Sequence, residues 1–189
     1  MAFLVKNKAV ARLANPGTSA QGGATSSEAY LSQHIHVTRA GGILPASTTE
    51  WLFAVRGGRV AVKAMIGTAT VVLTSTNPGL SINASALSVA NPQVLIGTTM
   101  VIATTVNLAS LEKGGMAVIE GDGTAIVKAD AGAAFAIPTG GGFWIAPAGE
   151  IYATTTGTNT TGEMKWDIWY LPLDEGAYVE AKAVGSAII

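Results

Sequence analysis

From residue 34 onward, short runs of apolar and β-branched residues alternate with clusters of glycine, proline, asparagine and aspartate. Runs of this length, bounded by turn-formers, predict β-strands. "WLFAVRGGRVAVKAMIG" holds two of them, residues 51–55 and 60–66, joined by Arg56-Gly57-Gly58-Arg59. A Gly-Gly pair supplies the positive φ that a tight hairpin turn requires. "TATVVLTSTNPGLSIN" gives another run, broken at Asn77-Pro78-Gly79, where proline fixes φ and glycine completes a turn. Further runs fall at 80–89, 94–96, 100–106, 116–120, 124–129, 133–137, 143–146, 151–156, 163–171 and 178–183. No segment sustains a helical period with caps. About a dozen short strands so spaced predict an all-β fold, an antiparallel β-sandwich or jelly-roll-like barrel.

The run at 163–171 shows the alternation most fully. In a strand, Met164, Trp166, Ile168 and Tyr170 share one face, and Lys165, Asp167, Trp169 and Leu171 share the other. The first set is large and mostly apolar, so it is expected to face the core. Trp169 is left as the exposed interface aromatic, turned toward solvent, a neighbouring subunit or a ligand. "PLDEG" then ends the strand, because the residue before proline prefers extended geometry and Asp174 to Gly176 suit a turn.

Residues 1–48 read differently, as an extended N-terminal arm and linker ahead of a β domain at 49–189. "NPGTSAQGGATSSEA", residues 15–29, has almost no large apolar residue to bury. Before it, "FLVKNKAVARLA" combines Leu4, Val5, Val10 and Leu13 with Lys6, Lys8 and Arg12. The three cations are the expected arm contacts to neighbouring subunits.

Composition changes this picture in three ways. Hydrophobic residues make up 49% and charged residues 12% of the 189, with a net charge of −1, so the surface is poorly defended against association. Charge is also uneven. Residues 1–63 carry seven basic and two acidic side chains, and residues 64–189 carry four basic and ten acidic. A basic leading segment of this kind is expected to dock on something acidic, and a protein subunit fits better than nucleic acid, since basic residues are not clustered among aromatics. Finally, the absence of cysteine excludes disulfides, thiolate metal sites and cysteine nucleophiles. No apolar run approaches the roughly 18 residues of a membrane span, and the first residues meet Lys6 and Lys8 too early for a secretion signal.

Candidate chemistry is sparse. His34 and His36 stand on one face of a strand, about 7 Å apart, and could meet a metal at a symmetry axis of a trimer, although no third ligand stands at motif spacing. "PTGGGFW" at 138–144 lacks the Lys and Ser/Thr of a phosphate loop. "EGDGT" at 120–124 lacks the later ligands of a calcium loop. Asn83 and Asn159 fit the glycosylation pattern. No G-x-S-x-G elbow is present, so no catalytic residue, cofactor or small-molecule substrate is expected.

Two segments carry a family resemblance. "LFAVRGGRVAVKAMIGTATVVL", residues 52–73, resembles an opening pattern of small virion structural proteins of tailed bacteriophages, "F-x-V-x-G-G-x-V" followed by a threonine-rich strand. "TGEMKWDIWYLPLDEGAYVEA", residues 161–181, resembles their usual end, "TG-x-x-K-W" running into "Y-x-P-L-D-x-G-A-x-V". The resemblance implies a non-enzymatic virion component of the capsid decoration (cement) type. It implies a protein made in the host bacterial cytoplasm and located on the capsid surface, with the major capsid protein and further copies of itself, as a homotrimer, for partners. A tail fibre, spike or baseplate component that binds a receptor or glycan through Trp169, Trp144 and Tyr152 is the alternative.

Overall fold

The structure is a computed structural model describing residues 34–44, 48–73, 79–87, 95–119, 126–131, 143–157 and 162–186. These residues form eleven strands and no helix. They are β1 (Ile35–Ile43), β2 (Thr49–Arg56), β3 (Val60–Val71), β4 (Gly79–Leu87), β5 (Leu95–Asn107), β6 (Met116–Ile119), β7 (Val127–Ala129), β8 (Trp144–Ala146), β9 (Gly149–Thr156), β10 (Glu163–Pro172) and β11 (Tyr178–Ala181). They make two antiparallel sheets. The six-stranded sheet runs β1-β10-β3-β6-β7, with β8 also on β3, and the five-stranded sheet runs β11-β2-β9-β4-β5.

The expected runs at 94–96 and 100–106 are one strand, β5, and the run at 133–137 lies outside the described residues. Residues 35–43, inside the segment read as arm and linker, form β1, which pairs with β10 along most of its length. Strand structure therefore begins ahead of residue 49.

One apolar core lies between the sheets. Met164, Trp166, Ile168 and Tyr170 of β10 enter it from one side, and Leu52, Phe53, Ile82 and Ile151 enter from the other. The buried alternation in β10 follows the sequence pattern. Two strands depart from strict alternation because of bulges. On β3, Tyr170 faces Val62 while Trp169 faces Ala64, so Lys63 is an extra residue. On β2, Trp51 faces Tyr152 while Phe53 faces Ile151, so Leu52 is extra, and both Leu52 and Phe53 are buried. An added residue reverses the sense of the pleat beyond it.

The hairpin expected at 51–66 is absent. β2 pairs with β9 and β11 while β3 pairs with β10, β6 and β8, so Gly57 and Gly58 carry the chain from one sheet to the other. Both glycines do have positive φ, 71° and 148°. Positive φ serves an inter-sheet corner as well as a hairpin.

Two further crossings stand beside this one. β8 leads into β9 through Pro147 and Ala148, and β10 leads into β11 through residues 173–177. Val60 opposes both Ala146 and Pro172, and Arg56 opposes Tyr178, so all three crossings occupy one end of the molecule. The first and third are locked together. Asp174 accepts from the Arg59 backbone N–H at 2.7 Å, from Nε at 3.0 Å and from Nη2 at 2.8 Å. A Cβ on Gly57 would run into the Gly176 carbonyl, which is backbone and cannot swing aside.

The Arg59 side-chain bonds, then its backbone N–H, pull the Asp174 carboxyl down to about 2 from 3.8. A carboxyl lowered by folding contributes stability above its unfolded value, and that contribution is lost as pH falls through the folded value. Asp174→Asn is therefore expected to lower Tm at neutral pH. The gap to the parent should close between pH 3.8 and about 2. Thermal melts across that window check this; a gap independent of pH would show that charge plays no part in the corner.

Candidate functional site

The outer face of an antiparallel sheet ordinarily alternates polar residues toward water. The outer face of the six-stranded sheet does not. Register places Leu171, Ala61 and Ile145 in one row, His36, Trp169 and Ala64 in a second, and Thr38, Asp167, Ile66, Val118 and Val127 in a third. Ala61, Ala64, Ile66 and Val118 are buried although they point away from the core. β3 is consequently buried on both faces from Val60 to Gly67, as for a strand covered on two sides. At the margin Ile145 and Val127 remain 46% and 42% exposed, and Phe143, just ahead of β8, is 58% exposed.

Trp169 sits on this face, opposite His36 on one side and Ala64 on the other. The His36 ring stacks on it, with centroids 4.5 Å apart and planes within 10°. Such stacks contribute about 0.5–1.5 kcal/mol beyond burial, enough to hold the half-buried indole in one orientation. The structure thus joins two features read separately in the sequence, the H-x-H pair and the exposed aromatic. His34 is half-buried, and burial lowers its pKa.

Asp167 is the hub beside the stack. Its Oδ1 accepts from Thr38 Oγ1 at 2.5 Å and lies 2.9 Å from His36 Nε2, and its Oδ2 lies 3.0 Å from Lys165 Nζ. Burial pushes the Asp167 carboxyl up, but the bonds from Thr38, Lys165 and His36 outweigh it and hold the group below the usual carboxylate range. Thr38 and His36 both turn to the same oxygen. Thr38 Oγ1 also lies 3.3 Å from His36 Nε2, so hydroxyl, imidazole and carboxylate hold one another in place. The cluster fixes side chains on a surface. Among the described residues no group of three His, Cys, Asp or Glu could hold a metal ion.

The other candidates fall elsewhere. Trp144 belongs to the core, and Tyr152 lies opposite Trp51 in the five-stranded sheet, so Trp144, Trp169 and Tyr152 share no platform. Asn83 is a buried residue of β4. Lys6, Lys8, Arg12, Asn159 and residues 120–124 and 138–142 lie outside the described residues.

One cluster has no signal in the sequence. Glu150 is buried in the five-stranded sheet, with Arg56 Nη2 2.9 Å and Lys182 Nζ 3.8 Å from Oε1. Its Oε2 has no partner among the described residues. Burial pushes the Glu150 carboxyl up against the pull of Arg56 and Lys182. Lys182 Nζ also stands 5.0 Å from the Trp51 ring centre. These contacts tie β2, β9 and the chain after β11 together. Spacings of 94 and 32 residues between the charges give no local pattern to read.

No family model, no curated protein and no solved structure matches the chain.

Proposed function

We propose that this chain is a non-enzymatic structural protein of a bacteriophage virion, of the capsid decoration type. It is a jelly-roll-like sandwich that binds the head as a trimer and reaches neighbouring subunits through an N-terminal arm. The observation that carries the reading is the placement of the two segments that resemble such proteins. Residues 52–73 and 161–181 are distant in sequence, yet β3 pairs with β10 and β2 pairs with β11. The motif residues Gly57, Gly58, Asp174 and Gly176 meet at one corner.

Two further observations support a role in contact rather than turnover. The outer face of the six-stranded sheet carries an apolar patch of Leu171, Ala61, Ala64, Ile66, Val118 and Ile145, and the polar cluster beside it is arranged to hold Trp169 in place. Charge also supports it: net charge is −1 over 189 residues, with the basic excess in residues 1–63. A weakly charged subunit gains stability from shared contacts in an assembly.

Deleting residues 1–30 is expected to abolish binding to phage heads while leaving the β domain folded. Co-sedimentation with particles, alongside far-UV circular dichroism, measures both. Full occupancy by the truncated protein would refute the clamping arm. Absence of the full chain from any particle fraction would refute the virion role itself.

A further inference from the structure

The open part of the apolar face lies on β8, at the same end of the six-stranded sheet as the start of β1 and separated from it by β10 and β3. Ile35, the first residue of β1, stands opposite Tyr170. The next residue of β10, Leu171, begins the row that runs through Ala61 to the exposed Ile145. Residues ahead of β1 therefore start at the margin of that face.

We propose that the segment 3–13, "FLVKNKAVARL", seats on this face of its own chain in the free protein. The inference goes beyond the virion role and does not depend on it. The segment supplies what the face lacks. Phe3, Leu4, Val5, Val10 and Leu13 are apolar, and covering Ile145 and Phe143 removes exposed apolar surface from water, at about 25 cal/mol per Å².

Reach and concentration select the same copy as the source. Residues 14–33 form a Gly/Ser-rich tether, whose typical span is about 25 Å if it behaves as a flexible coil. Tethers of this kind hold a segment near its seat at about millimolar effective concentration, above that of free protein in ordinary solution. A second copy would compete only in an assembly, where the face of one subunit and the segment of another are both fixed in place.

The absence of cysteine makes a clean test available in the full-length chain. Val5→Cys is combined with Ile145→Cys on the proposed seat, or with Val101→Cys on the five-stranded sheet. Both face positions are about half exposed, 46% and 48%, so reactivity alone does not separate them. Treated in dilute solution with a short bismaleimide, the first pair is expected to close within one chain, giving a product of monomer mass. It should do so about tenfold or more faster than the second. Phe3→Asp with Leu4→Asp should remove that advantage. Circular dichroism verifies each variant, and Phe143→Cys replaces Ile145→Cys if the sheets are disturbed. Equal rates for the two pairs, an advantage that survives Phe3→Asp with Leu4→Asp, or a product of dimer mass would each overturn the proposal. None of these outcomes bears on particle binding, so the virion role stands or falls separately.

Discussion

Replacing Arg39 with alanine is expected to destabilise the protein by about 3–5 kcal/mol, because it strands a buried carboxylate. Arg39 points inward from β1, where its register partner is Trp166, and its Nη2 bonds Glu50 Oε1 on β2 of the other sheet. Both side chains are nearly inaccessible, at 2% and 4%. The pair is also tied to the chain end. Arg39 Nε donates to the Lys182 carbonyl at 3.2 Å, and the Gly185 N–H donates to Glu50 Oε1 at 2.8 Å. Removing the guanidinium leaves Glu50 with one backbone donor in a site that water does not reach. A solvent-exposed pair would cost about 1 kcal/mol or less, so the magnitude itself decides whether burial governs. Urea unfolding at constant m measures it. The double variant Arg39→Met/Glu50→Leu should recover most of the loss, since apolar pairs of similar volume often replace buried ion pairs without penalty. A loss near 1 kcal/mol for Arg39→Ala, or a double variant no better than the single one, would refute this account.

Arg39 also shows where the sequence stops being readable. Alternation in "HIHVTRAGG" places Ile35, Val37 and Arg39 on one face, and an arginine there gives no hint that it is buried until Glu50 is found opposite. β10 was legible because its apolar set is uninterrupted over four alternate positions. The face of Trp169 was legible for the same reason, whereas its partner was not: the register that brings His36 to it spans 133 residues. Gly57-Gly58 announced positive φ but not a change of sheet. What commits that turn to a corner is Asp174, which bonds Arg59 across 115 residues. Bulges at Lys63 and Leu52 are invisible for a related reason, since each is defined by the strand opposite. Local chemistry could therefore be read from the sequence, and the pairing that gives it a purpose could not. The reading of Lys6, Lys8 and Arg12 as arm contacts falls outside the described residues.

Trp166→Ala is expected to cost about 3–5 kcal/mol, the range for truncating a large aromatic in a packed core. Trp166 is fully buried, and its indole N–H finds no acceptor among the described residues. Trp166→Phe should therefore cost far less, about 1.5 kcal/mol or under, because it keeps a ring and removes an unpaired donor. The indole lies over Gly67, its register partner on β3. A Cβ at residue 67 would stand 2.6 Å from Trp166 Cζ3 and 2.6 Å from Met164 Cε. Met164 can swing its methyl away, but the ring is rigid, so Gly67→Ala should cost about 1–3 kcal/mol through overpacking. The two positions are then coupled in a specific sense. In a Trp166→Leu background the added methyl has room, and Gly67→Ala should become neutral or favourable, giving a coupling of about 1–3 kcal/mol in a double-mutant cycle. Urea unfolding of the four proteins supplies the cycle. Additive effects would mean that glycine stands at 67 for backbone reasons and not to make room for the ring.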